Sequence, residues 1–209
     1  MKDALLILGA GGHGKVVADA ALLQGQWSEI AFLDNAPPAQ AVLGLPVLDG
    51  SQPLARLRER YGSAAVAIGD ADRRMARLDE LQREGFELPL IQHPSAIVSP
   101  FAELEAGCVV FANSVINAGS RLGRGCILNT AASIDHDCTL GDGVHIAPGA
   151  RIAGGVRIGA RSWIGIGACV REYIAIGDNV TVGAGAAVVN DVAAGRIVRG
   201  VPARDYGKA

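Results

Sequence analysis

The stretch IDHDCTLGDGVHIAPGARIAGGVRIGARSWI, Ile134 to Ile164, decides the fold of this chain, because an aliphatic residue returns in it every sixth position. The period extends well beyond the quoted segment. Val98, Leu104, Val110, Ile116, Leu122, Leu128, Ile134, Leu140, Ile146, Ile152, Ile158, Ile164, Val170, Ile176, Val182 and Val188 follow one another without a slip. Four residues after each comes a small residue or valine, from Ala102 and Cys108 through Ser120, Cys138 and Ala168 to Val192, with Ile174 the exception. A hexad with one large and one small inward residue describes a triangular β-solenoid. Three hexads make the three flat faces of one coil, and residues eighteen apart stack at roughly 4.8 Å, one strand spacing. The segment VAAGRIVRGVPAR is expected to cap the far end.

The first 92 residues have a different rhythm. Strand patterns at ALLILGA, EIAFLDN and AAVAIGD alternate with helical patterns at HGKVVADAALLQG, ended by Gly25, and at ADRRMARLDELQREG. AVLGLPVLDG reads as a short strand and turn, with Asp49 or Ser51 capping a helix through PLARLRERYG. Such alternation predicts a small parallel sheet with crossover helices, a Rossmann-like α/β domain over residues 1–92 followed by the coil over 93–209. Its opening loop, Gly9-Ala10-Gly11-Gly12-His13-Gly14, satisfies G-x-G-x-x-G, and Asp34 lies twenty residues beyond Gly14. Four or five strands are too few for a full dinucleotide domain. The loop therefore reads as a cradle for one mononucleotide phosphate at a helix start, and NAD is not implied.

Composition narrows the remaining classes. Half of the 209 residues are hydrophobic, yet only 4% are aromatic and 28 are glycine, so the core is built from aliphatic side chains and close backbone approach. A net charge of −2 supplies no footprint for nucleic acid or an anionic membrane. No apolar run approaches the roughly 18 residues that span a bilayer. Four cysteines without a C-x-x-C spacing fit reduced thiols in the cytoplasm. The register places Cys108, Cys126 and Cys138 on the inward small-residue row and Cys169 outward.

Little on the coil's outer surface can move a proton. His136 is flanked by Asp135 and Asp137 at a corner, and a carboxylate bonded to one ring nitrogen fixes the tautomer and raises the basicity of the other. One coil away on either side stand Ala118-Gly119 and Gly154-Gly155. These bare neighbours predict room for a substrate and backbone N–H groups for an oxyanion. His145, half a coil further on, reads equally as a solvated or interface histidine and as a cofactor contact. Two histidines in unsuitable register leave no metal site.

Together GAGGHGKVV, FLDN, IGD with its following arginine, HPSA, LNT, DHD, GVHIAPGA, WIGIGA and VPA resemble the bacterial nucleotide-sugar acetyltransferases. That group includes the sialic acid O-acetyltransferase-like proteins and the UDP-4-amino-sugar and GDP-perosamine N-acetyltransferases. The resemblance implies a left-handed parallel β-helix of hexapeptide repeats, a homotrimer, and acetyl-CoA as co-substrate with no metal. By position, Gly11, Gly12, His13, Asp34, Asn35 and Gly69 would hold the nucleotide-sugar, with UDP favoured. His136 would be the general base, Asp137 its partner and Gly154 the oxyanion donor. His145, Ile166 and Ala184 would contact acetyl-CoA. The implied reaction is acetyl transfer to the amine of a nucleotide-linked 4-amino-4,6-dideoxy sugar. Alternatives are a sugar or sialic acid O-acetyltransferase, a non-catalytic sugar-binding trimer and, less favoured, a nicotinamide oxidoreductase.

Overall fold

The computed structural model describes residues 4–36 and 39–208. The chain divides into two compact units, Met1–Pro94 and Ser95–Ala209.

In the first unit, β1 (Ala4–Leu8) is central. It pairs in parallel with β2 (Glu29–Asp34) on one side. The strand Ser63–Val66 pairs with it on the other, also in parallel. β2 in turn pairs with a strand at Leu45–Asp49. Alternation along β1 serves two layers: Leu6 and Leu8 join a core with Leu57, Leu78, Leu81 and Phe86, leaving Leu5 and Ile7 to the opposite face. α1 (Gly12–Gln24) covers that opposite face, with Gly14 against the Phe32 ring. Gly25, at φ 67°, ends the helix by donating its N–H to the Ala21 carbonyl.

Two local expectations need correction. Residues 41–49 form a hairpin, Ala41–Val42 antiparallel to Leu45–Asp49. Leu43 and Gly44 both take positive φ, the twist that a two-residue hairpin demands. The next helix spans only Leu54–Arg58, with Pro53 at its N-cap and no side-chain cap. Asp49 instead accepts the Ser51 N–H at 2.9 Å, closing a local turn before the helix begins. By contrast, the helix Ala71–Arg83 has Asp70 as a true cap, accepting the Arg73 N–H at 2.8 Å.

The second unit is the left-handed β-helix. Two-residue strands recur every sixth position from Ile97–Val98 to Ala187–Val188, and each as far as Cys169–Val170 pairs in parallel with the strand eighteen residues on. The first face holds Ser133–Ile134 and Arg151–Ile152, the second Thr139–Leu140 and Arg157–Ile158, the third His145–Ile146 and Trp163–Ile164. From Val110 to Val188 every aliphatic position of the repeat is at most 3% exposed. Cys108, Cys126 and Cys138 are buried in the small-residue row and Cys169 is exposed. Two buried hydroxyls are satisfied by the next coil: Ser120 Oγ donates to the Asp135 carbonyl at 2.6 Å, and Ser162 Oγ to that of Gly177 at 2.8 Å. At the far end Arg196–Arg199 pairs in parallel with Thr181–Val182 and antiparallel with Arg204–Lys208.

From Gly107 to Gly185 each corner turns through a residue of positive φ three positions after the aliphatic one, among them Gly119, Asp137, Gly155 and Tyr173. The turns thus fix which side chains project at a corner and in which direction.

Candidate active site

The corner after Ile134 carries Asp135, His136 and Asp137, and the turn gives each acid a separate task. Asp135 Oδ1 accepts the His136 backbone N–H and the Asn117 side-chain amide, both at 2.9 Å, tying the corner to the coil before it. These bonds hold the Asp135 carboxyl below its usual range. Asp137, at φ 58°, turns back so that Oδ2 meets His136 Nδ1 at 2.8 Å. A carboxylate only accepts, so the proton sits on Nδ1 and Nε2 is left as the basic nitrogen. The hydrogen bond that Nδ1 donates to Asp137 is the largest influence on the imidazole pKa; with the charges of Asp135 and Asp137 it outweighs the opposing desolvation and raises the pKa above its ordinary 6.5. The ring is half exposed.

Gly154 and Gly119 are the conditions for this pair. The imidazole lies across the Gly154 backbone, where a Cβ would overlap Nε2 and stand 2.6 Å from Cε1. A Cβ on Gly119 would stand 2.5 Å from Asp137 Oδ1. The expected open space beside the histidine is therefore taken by the dyad itself: the glycines make room for ring and carboxylate rather than for a substrate. Above it, Gly155 is covered by the Tyr173 ring. The Gly155 N–H donates to the His136 carbonyl at 2.9 Å, whereas the neighbouring Gly154 N–H donates to no group among the described residues. The equivalent corner amides of Arg124 and Ala160 are capped by Asp142 and Asp178.

His145 is not solvated. It lies on the third face, 5% exposed, with its ring 4.3 Å from that of Trp163 and Nε2 3.2 Å from the Asn129 amide nitrogen. Ile166 and Ala184 are exposed one coil apart at the corner that follows this face, and the Gly185 N–H donates to the Ile166 carbonyl at 2.8 Å. A Cβ on Gly167 or Gly185 would meet nothing within 4 Å, so this edge is open along its length. It is a different corner from that of His136. One chain therefore brings His136, Asp137 and Gly154 together, and separately Ile166 and Ala184.

In the first unit, Gly9 takes φ 108° with its Cβ direction 2.9 Å from the Ala67 carbonyl oxygen, a place only glycine fits. Gly11 and Gly12 are exposed at the start of α1. Asp34 fastens the loop: Oδ2 accepts the Ala10 N–H at 2.7 Å and Oδ1 that of Ala36 at 2.9 Å. A cleft of about 510 Å³ opens at the strand ends, lined by Gly9, Asp34, Asn35, Ile68, Arg73 and Arg77 among others. Gly11, Gly12, His13 and Gly69 lie outside that lining. Burial, with Arg74 nearby, pushes the His13 pKa down to about 4, which keeps the ring neutral. The buried Arg74 donates to the carbonyls of Ile68 and Gly69, at 2.9 and 2.7 Å. Arg73 and Arg77 went unassigned in the sequence. Their signal was an i, i+4 cationic pair opening the helix that Asp70 caps.

Among the described residues no cluster of three or more His, Cys, Asp or Glu side chains is placed to hold a metal, and no helix is long and apolar enough to cross a membrane.

Comparison with known proteins agrees with this fold. Residues 4–81 match the PglD N-terminal domain family, and residues 119–154 the bacterial transferase hexapeptide family of six repeats. The acetyltransferase domain of PglB from Neisseria gonorrhoeae FA1090, solved with acetyl coenzyme A, is 43% identical over 98% of this chain and 100% of its own, with a TM-score of 0.93. A histidine-to-asparagine variant of perosamine N-acetyltransferase from Caulobacter crescentus, solved with CoA and GDP-perosamine, is 40% identical over 98% and 97%, with a TM-score of 0.93. WeeI from Acinetobacter baumannii AYE is 27% identical over 97% and 99%, with a TM-score of 0.86. With 43% identity along its whole length, in both units, to an acetyltransferase domain, the chain belongs to the bacterial nucleotide-sugar acetyltransferase family.

Proposed function

We propose that the protein transfers the acetyl group of acetyl-CoA to the amine of a nucleotide-linked 4-amino-4,6-dideoxy sugar, in the cytoplasm and as a homotrimer. The observation that carries this reading is the Asp137–His136 pair over Gly154: an oriented, half-exposed imidazole whose Nε2 has no partner among the described residues and lies against Gly154, whose backbone N–H is unengaged. Nε2 takes a proton from the amine as the C–N bond forms. The Gly154 N–H stabilises the negative oxygen of the thioester carbonyl. As the C–S bond breaks, the proton on His136 passes to the departing CoA thiolate, which leaves as the thiol, and the ring is neutral again.

The relatives support the choice of reactants, since the PglB domain was solved with acetyl coenzyme A and the perosamine enzyme with CoA and GDP-perosamine. The open edge along Ile166 and Ala184 suits the extended arm of acetyl-CoA. It lies on another corner from His136, so the reaction centre is completed by a neighbouring subunit's edge. In the first unit the exposed Gly11 and Gly12 amides suit a phosphate. Asp34, Asn35, Arg73 and Arg77 surround a cleft sized for the nucleoside. UDP is favoured from the loop, and GDP belongs in the assay because of the perosamine relative.

The test is release of free CoA thiol from acetyl-CoA with UDP-, GDP- and dTDP-linked 4-amino-4,6-dideoxy sugars. One donor is expected to give turnover, reduced about 10²-fold or more in His136→Ala. Near-normal turnover in that variant would refute the base assignment. Turnover only with hydroxyl acceptors would reassign the enzyme as an O-acetyltransferase.

A further inference from the structure

The turn after Ile152 has two adjacent glycines, each lying beneath a ring from a different coil. His136 reaches over Gly154 from the coil before. Tyr173 reaches over Gly155 from the coil after: a Cβ on Gly155 would stand 2.5 Å from Tyr173 Cδ1 and 2.6 Å from Cε1. Neighbouring Cα atoms are ~3.8 Å apart, so imidazole and phenol flank one short piece of backbone. The Tyr173 N–H also donates to the Gly154 carbonyl at 3.0 Å.

The exposure of Tyr173 has no structural cause within the coil. The residue is 72% exposed, and the inward positions beside it are Val170 and Ile174, so it adds nothing to the interior. Its φ of 58° is the one this corner position requires, as at Asp137 and Gly155 in the preceding coils. What sets the residue apart is a large aromatic ring held in solvent beside a candidate base, where smaller residues make the same turn.

We infer that Tyr173 is a further acceptor-binding residue, its ring forming a wall of the space in which the sugar amine meets His136 Nε2. This rests on the acceptor reading above. The ring offers an apolar face to the C–H bonds of a pyranose and to the methyl group of a deoxy sugar. The contact recognises the sugar ring and lies on a different corner of the coil from the acetyl-CoA edge.

Steady-state kinetics on wild type, Tyr173→Ala and Tyr173→Phe test it, with nucleotide amino sugar and acetyl-CoA each varied against saturating partner. Tyr173→Ala is expected to raise the acceptor KM roughly tenfold, the loss of one aromatic contact, with the acetyl-CoA KM within about twofold of wild type. Tyr173→Phe keeps the ring and is expected to stay near wild type. An unchanged acceptor KM in Tyr173→Ala would overturn the inference. So would a fall in molar mass by light scattering, which would make Tyr173 an interface residue. A wild-type protein that releases no thiol with any nucleotide amino sugar would remove the acceptor reading itself, a result distinct from either.

Discussion

Asp137 shows how one residue's backbone sets its chemistry. Positive φ is mandatory at its turn position, and aspartate tolerates that region better than most residues. The same twist swings its carboxylate onto His136 Nδ1, while Asp135, with ordinary backbone, is left to bind main-chain and amide hydrogens. Removing the negative charge while keeping the turn isolates its electrostatic part. Asp137 raises the imidazole pKa, so the base is competent only above a midpoint higher than 6.5. Asparagine at this position no longer favours the imidazolium, and the pKa falls. The acid limb of kcat/KM in Asp137→Asn is expected to shift to lower pH, with a reduced plateau because Nε2 is less basic. A pH–rate profile with an unmoved limb would show that Asp137 does not tune the base.

At the scale of the turn, glycines that look alike in the repeat serve different ends. Gly154 lacks positive φ, and only the His136 ring occupies its Cβ direction. Alanine there would leave the coil intact and displace the imidazole. Gly154→Ala is expected to lose activity about as His136→Ala does, of order 10²-fold, with its melting midpoint little changed. Gly159 instead faces the backbone of the next coil: a Cβ would overlap Asp178 N and stand 2.5 Å from Gly177 C. Gly159→Ala overpacks the ladder, and a cost of about 1–3 kcal/mol is expected as a lowered midpoint with catalysis retained in the folded fraction. Calorimetry and thiol release on the two variants separate the roles, and equal midpoints would contradict the distinction.

For the whole molecule, the decisive fact is that the His136 corner and the Ile166–Ala184 edge belong to different corners of one coil. If neighbouring subunits complete each reaction centre, two inactive chains can rescue each other. His136→Ala spoils the base, and Ala184→Trp blocks the edge. Each alone is expected to be inactive. Chains refolded together are expected to regain turnover at about a quarter of the sites, those pairing an intact base with an intact edge. Mixed assemblies of verified composition without recovery would place the whole site in one chain.

The six-residue period determined the coil, the inward rows and the burial of three cysteines, since in a solenoid each residue's neighbours lie at a fixed interval of eighteen. The acids beside His136, and Gly154 one coil on, were legible for the same reason. Tertiary structure alone divided the work between Asp135 and Asp137, because that depends on carboxylate direction at a left-handed turn. It alone showed the imidazole, and not open space, over Gly154. It also buried His145, although the period turns that residue outward, and set the ring against Trp163. In the α/β unit the period carried less. Asp34 at the end of β2 fastens Ala10 in the loop after β1, and Arg73 and Arg77 reach the same cleft from the helix Ala71–Arg83, segments that meet only when the sheet assembles.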